Sequence, residues 1–155
     1  MSLKTSIFET EESKETIALG EKIGLACKGG EIFALFGQLG TGKTQFAKGV
    51  AKGLGIKERE VQSPTFVISQ VHTKGRIPFI HIDLYRLDEL SELEDLGWHD
   101  FSGMEGVILV EWAEKIIKFL DEENVIFVTI SDCDDDKRAI TIKYSSKFSY
   151  LFNTP

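Results

Sequence analysis

This 155-residue sequence is poor in cysteine, proline and long apolar runs, and each shortage removes a class of protein. Two cysteines, Cys27 and Cys133, lie far apart with no second ligand-like residue at metal spacing, which predicts two free thiols in a reducing cytoplasm. The three prolines form no Pro-rich linker, and there is no internal repeat. No segment approaches the roughly 18 consecutive apolar residues of a membrane span. Met1 to Lys14 is polar and carries acidic residues, without the apolar core of a signal peptide. Basic residues are also outnumbered: 18 Lys plus Arg stand against 25 Asp plus Glu, a formal charge of −7. Coating nucleic acid needs a concentrated basic surface, so that is excluded as the main task. Lys48, Lys52, Lys57 and Arg59 form at most a modest basic strip, read as a solvated helix face. These absences predict a cytoplasmic protein with no membrane partner.

What is present is ordinary for a folded chain. The apolar fraction is 42% and the charged fraction 28%, too apolar for global disorder. The length suits one domain, residues 1–155, with a sizeable core. A helix is expected from about Ser13 to Cys27, capped by Ser13 and stopped by Gly29-Gly30. Glu31–Phe36 reads as a buried strand, and Lys43–Leu54 as an amphipathic helix with Phe46, Val50 and Leu54 on one face. Thr65–Thr73 and Arg76–Leu84 read as strands of a hairpin turning at Lys74-Gly75. A short acidic helix is expected over Asp88–Leu96. Then come a strand at Gly106–Val110, a helix to about Leu120, and strands at Val125–Ile130 and Ala139–Tyr144. Alternating strands and helices predict an α/β fold of the P-loop NTPase kind. Its sheet has a mostly parallel core, an attached antiparallel hairpin, and helices on both faces.

Gly37-Gln38-Leu39-Gly40-Thr41-Gly42-Lys43-Thr44 fits G-x-x-x-x-G-K-[ST] without a mismatch. Four fixed positions arise by chance in under about 1% of chains of this length. A buried strand precedes the motif and an amphipathic helix follows it, the context a phosphate loop requires. Glycines let the backbone close around phosphate oxygens, and the positive end of the next helix favours an anion. Lys43 can reach the β- and γ-phosphates, and the Thr44 hydroxyl can ligate Mg²⁺. The chain is therefore expected to bind a nucleoside triphosphate. The Asn-Lys-x-Asp base reader of GTPases is missing, and Asp100-Phe101-Ser102-Gly103 follows no apolar strand, so ATP is the expected nucleotide.

Such a site needs a carboxylate at a neighbouring strand end to hold Mg²⁺. Glu111 closes the run Val107–Val110, and Asp83 closes Phe79–Ile82, so both are candidates, with Lys43, for the chemistry. Trp112 either fills the core or stacks on the base. Gln62–Phe66 reads as a Ser-Pro turn or as a switch loop sensing the γ-phosphate. His81 and His99 have no clustered metal-ligand partners and are assigned hydrogen-bonded structural roles, and His72 a surface strand position.

Together these blocks resemble the bacterial TsaE (formerly YjeE) ATPase family of tRNA threonylcarbamoyladenosine synthesis. The likeness rests on Gly37–Thr44, Ser63–Phe66, His81-Ile82-Asp83-Leu84-Tyr85-Arg86, Leu96-Gly97, and Glu111-Trp112 with Glu114. It implies a compact ATPase using ATP and Mg²⁺ and working with the proteins TsaD and TsaB. That assembly transfers a threonylcarbamoyl group to the adenosine beside the anticodon, so tRNA is met through the complex. The resemblance assigns Mg²⁺ to Thr44 and Glu111, the adenine flank to Trp112, and the γ-phosphate neighbourhood to Asp83. It places Thr65 in a switch-like loop, Arg138 near the nucleotide, and Thr16 as an N-terminal adenine contact. Gln38, Thr41 and Gln62 stand where the family usually has Asp, Ala and Thr, and none of these changes removes a ligand. The rival reading is a small-molecule P-loop kinase. Kinases of that class need an arginine-bearing lid, whereas the four arginines here are scattered with no insertion to carry one.

Overall fold

A computed structural model describes residues 3–38, 40, 42–61, 69–86, 105–132 and 137–153. Among these, seven strands form one sheet: β1 Lys4–Thr10, β2 Ile32–Phe36, β3 Ser69–His72, β4 Phe79–Asp83, β5 Val107–Glu111, β6 Ile126–Asp132 and β7 Arg138–Tyr144. Their order across the sheet is β1-β7-β6-β2-β5-β4-β3. The central four, β6, β2, β5 and β4, are parallel, while β3, β7 and β1 add antiparallel edges. The expected α/β architecture with a mostly parallel core is thus what the chain adopts.

The four parallel strands are short apolar runs because both of their faces are covered. On one face, Phe33, Leu35, Phe79, Val107 and Leu109 pack beneath two helices, α1 (Ser13–Ala26) and α2 (Lys43–Gly53). On the other, Ala34, Ile80, Ile82, Ile108 and Val110 meet Ala113 and Ile116 of a helical segment at Ala113–Phe119. That segment is 3-10 in type, with non-helical dihedrals at Ile116, in place of the expected α-helix. Adjacent β-branched Ile116 and Ile117 crowd the helical turn, and Ile117 and Phe119 remain exposed, so no continuous apolar stripe holds an α-helix there.

The helix α1 packs on α2 backbone to backbone. A Cβ at Gly49 would lie 2.1 Å from the Ile17 carbonyl oxygen, and one at Gly24 2.3 Å from that of Val50. Gly20 and Gly53 make the reciprocal approaches, so two Gly-x-x-x-Gly pairs face each other. The α1 start also departs from expectation. Glu12, not Ser13, is the cap, and the Glu15 carboxylate accepts the Glu12 N–H at 3.0 Å and the Glu11 N–H.

Two further differences have physical causes. The strand β1 escapes periodicity because its outward Ile7 is apolar while inward Ser6 and Thr10 are polar; it forms by completing the ladder of β7. The β3–β4 hairpin closes over Thr73–Pro78, not at a tight Lys74-Gly75 turn. Within that connection Arg76 donates to the carbonyls of Cys27 (2.9 Å), Gly24 (2.7 Å) and Leu25 (3.0 Å), capping the end of α1. Its backbone N–H donates to Leu54 at the end of α2. Of the strand expected over Thr65–Thr73, Ser69–His72 is described as strand, and residues 62–68 and the acidic helix at Asp88–Leu96 lie outside the described residues.

Candidate active site

Parallel strands deliver their carboxyl ends to one edge of the sheet, and the sequence loads that edge with polar residues. Between β2 and α2 the loop turns through Gly40 (φ 84°) and Gly42 (φ 104°), left-handed conformations that favour glycine. Nothing lies within 4 Å of where a Cβ would stand at either position. Gly42 is the residue before the first turn of α2, so the free N–H groups of the helix face this open space. Gly37 and Gln38 lead into the loop, while Leu39 and Thr41 lie outside the described residues.

Lys43 is 4% exposed. Its ammonium donates to the Gly37 carbonyl at 2.5 Å and sits 3.3 Å from the centroid of the Trp112 ring. Burial pulls the Lys43 pKa below the usual lysine range, opposed by the carboxylates of Glu114, Glu111 and Asp83. Glu114 is pushed up by burial, with Lys43 pulling it back. Trp112 adopts a left-handed backbone (φ 59°), which turns its ring across the strand end, where it also meets Tyr85 at 4.9 Å between centroids.

The register of β4 and β5 sets Asp83 directly opposite Glu111. Both follow the same alternation as Phe79 and Leu109, which places them on the α2 face of the sheet. The Thr44 hydroxyl donates to Glu111 Oε1 at 3.1 Å, and His81 Nε2 lies 2.5 Å from Glu111 Oε2. Asp83 Oδ1 accepts the Tyr85 N–H at 2.9 Å. Among the described residues no cluster of three His, Cys, Asp or Glu could hold a metal ion. The hydroxyl–carboxylate pair instead suits a hard cation that keeps most of its waters. Adjacent oxygens on an octahedral Mg²⁺ lie about 2.9 Å apart, close to the Thr44–Glu111 separation.

Arg138, opposite Thr10 across β1 and β7, lies 3.4 Å from the Gly40 carbonyl and 3.0 Å from Asp132. Thr16 is buried with its hydroxyl 2.9 Å from that of Thr10. Lys43, Thr44, Asp83, Glu111 and Trp112 therefore converge, and Arg138 reaches the loop at the Gly40 carbonyl. Thr65, with the rest of 62–68, and His99 lie outside the described residues. The sequence reading missed the His81–Glu111 pair. Its signal was the two-residue spacing of His81 and Asp83, which puts both on one strand face.

The family model for "Threonylcarbamoyl adenosine biosynthesis protein TsaE" matches residues 10–140. The chain belongs to the TsaE family. The tRNA threonylcarbamoyladenosine biosynthesis protein TsaE of Bacillus subtilis is 41% identical over 139 residues, covering 90% of this chain and 85% of that protein. The Aquifex aeolicus TsaE is 38% identical over 141 residues, covering 90% and 96%. The crystal structure of Bacillus subtilis YdiB superposes with a TM-score of 0.77 at 34% identity, covering 97% of this chain and 93% of that one. TsaE membership places the chain in tRNA threonylcarbamoyladenosine biosynthesis. No helix among the described residues is long and apolar enough to cross a membrane.

Proposed function

We propose that this TsaE-family chain is a Mg²⁺-dependent ATPase of the cytoplasm that supports turnover of the TsaD–TsaB transferase, meeting tRNA through that assembly. The observation that carries the reading is the Thr44 hydroxyl on Glu111, with Asp83 in register beside it, at the mouth of a glycine loop. The open space at Gly40 and Gly42 fits phosphate oxygens, and the oxygen pair fits Mg²⁺. When bound, the metal would neutralise charge on the β- and γ-phosphates.

The chain's own residues supply the rest. Loop N–H groups and the α2 terminus hold the phosphates, and Lys43 leaves the Gly37 carbonyl and the Trp112 face to pair with them. Thr44 and Glu111 would hold the cation. Asp83 sits where it can orient a water toward the terminal phosphate. Trp112 flanks the base, and Thr16, Thr65 and Arg138 complete the nucleotide surround. Lys43 is the single cation of the phosphate-loop motif, and with no arginine added to neutralise charge on the transferring phosphoryl group the isolated chain turns over slowly. A positive charge added by TsaD and TsaB, or their contact with residues 63–66, accelerates it, by roughly 10³–10⁵ where the charge is an arginine. The test is ATP hydrolysis measured alone and with TsaB, TsaD and tRNA, beside a screen for phosphorylated small acceptors. Partner-stimulated phosphate release supports the reading, and transfer to an acceptor supports a kinase instead.

A further inference from the structure

His81 is fully buried in the middle of β4, stacked near Phe79 (5.9 Å between centroids), in a place where leucine would pack without a polar ring. Its Nδ1 is buried and has no hydrogen-bond partner among the described residues. A buried polar ring with one nitrogen unsatisfied is a standing cost, so the other nitrogen calls for a reason. That nitrogen, Nε2, lies 2.5 Å from Glu111 Oε2. An ionised carboxylate only accepts, so Nε2 is the donor.

We infer that His81 is the positioning residue that orients Glu111, rotating its carboxylate so that Oε1 faces Thr44 and the cation. The inference rests on the proposed reading of Thr44 and Glu111 as the magnesium side of the site. The strand register explains why histidine is needed. His81 stands opposite Leu109, and Asp83 stands opposite Glu111. His81 must therefore reach along the sheet by one same-face position, which takes a donor at the ε position. With Oε2 held by the ring, the remaining freedom of the carboxylate is rotation out of that bond, and Oε1 is left on the Thr44 hydroxyl at 3.1 Å. Among the described residues neither donor to Glu111 is a backbone group, so the carboxylate's aim rests on these two side chains. His81 touches neither nucleotide nor metal in this role. It acts through Glu111, as residues behind a metal ligand do.

The test compares ADP affinity with Mg²⁺ and with EDTA for wild type, His81→Leu, His81→Gln, His81→Asn and Glu111→Gln, beside thermal unfolding of each. His81→Leu is expected to lose roughly tenfold or more of the Mg²⁺-dependent gain in affinity, with binding in EDTA unchanged. His81→Gln, which keeps a donor at the ε position, is expected to retain the gain, and His81→Asn, a bond shorter, to lose it. A folded His81→Leu with the wild-type Mg²⁺ response, while Glu111→Gln loses it, overturns the inference and leaves the proposed function standing. A wild-type Mg²⁺ response in Glu111→Gln overturns both. If His81→Leu does not fold, the Gln and Asn variants decide: different Mg²⁺ responses support positioning, and equal responses overturn it.

Discussion

Two glutamates are buried at opposite edges of the same parallel core, and their partners differ in kind. Glu31, just before β2, is 1% exposed and accepts the N–H groups of Lys28 (2.7 Å) and Gly29 (2.8 Å) and the Tyr150 hydroxyl (2.5 Å). Glu111, at the end of β5, is 2% exposed and is held by the side chains of Thr44 and His81. Backbone donors two and three residues away cannot leave, so Glu31 closes a turn and ties down the C-terminal segment. A hydroxyl on a separate helix can rotate off, which is the freedom the proposed cation site requires of Glu111. Burial is the same for the two carboxylates; what differs is the kind of donor, backbone and hydroxyl for Glu31 and side chains alone, among the described residues, for Glu111.

The largest expected effect is on the Glu111 side. Lys43→Ala should reduce ATP turnover by roughly 10²–10³ or more, since the phosphates lose the motif's cation. Glu111→Gln should give a defect that shrinks as Mg²⁺ is raised, a dependence Lys43→Ala should lack. Initial rates across a Mg²⁺ titration check both. Glu31→Gln should do the reverse. It should cost about 1–3 kcal/mol in denaturant unfolding, because an amide presents donors to donors, while leaving the Mg²⁺ dependence of turnover unchanged.

Tyr150 sharpens the same contrast through pH. Burial, and then the hydrogen bond and charge of Glu31, raise its phenol above the ordinary tyrosine range. A folded-state pKa above the unfolded one, about 10, means the stabilisation is complete below that value and is lost as pH climbs beyond it. Wild type should therefore lose stability above about pH 10 more steeply than Tyr150→Phe, read from urea midpoints between pH 8 and 11. Gly49→Ala probes what carries α2 to the site. Its Cβ would clash with the Ile17 carbonyl, so a loss of roughly 1–3 kcal/mol is expected in thermal unfolding. The smallest effect is optical. The chain's other tryptophan is Trp98, so in a Trp98→Phe background ADP binding should shift Trp112 fluorescence as Lys43 leaves the ring.

The parallel core was legible because β2, β4 and β5 are short apolar runs ended by polar residues, and the phosphate motif stood between a strand and a helix. Asp83 and Glu111 were legible for the same reason: each is the first acid after an apolar run. What stayed hidden depends on contacts distant in sequence. Ser6 and Thr10 face inward because β7 needs a partner, and no local pattern records that need. Arg76 shapes the hairpin connection by capping a helix some fifty residues earlier in the chain. His81 was expected to be hydrogen-bonded, and it is, but its partner Glu111 became legible only from the register of β4 on β5.

The most direct test is steady-state ATP hydrolysis by wild type and Glu111→Gln, each alone and with TsaB and TsaD, across a Mg²⁺ titration. The account predicts a slow wild-type rate that rises with the partners and with Mg²⁺, and a Glu111→Gln rate that needs far more Mg²⁺ to approach it. A fast isolated enzyme, indifferent to the partners and unchanged by Glu111→Gln at every Mg²⁺ concentration, would contradict it.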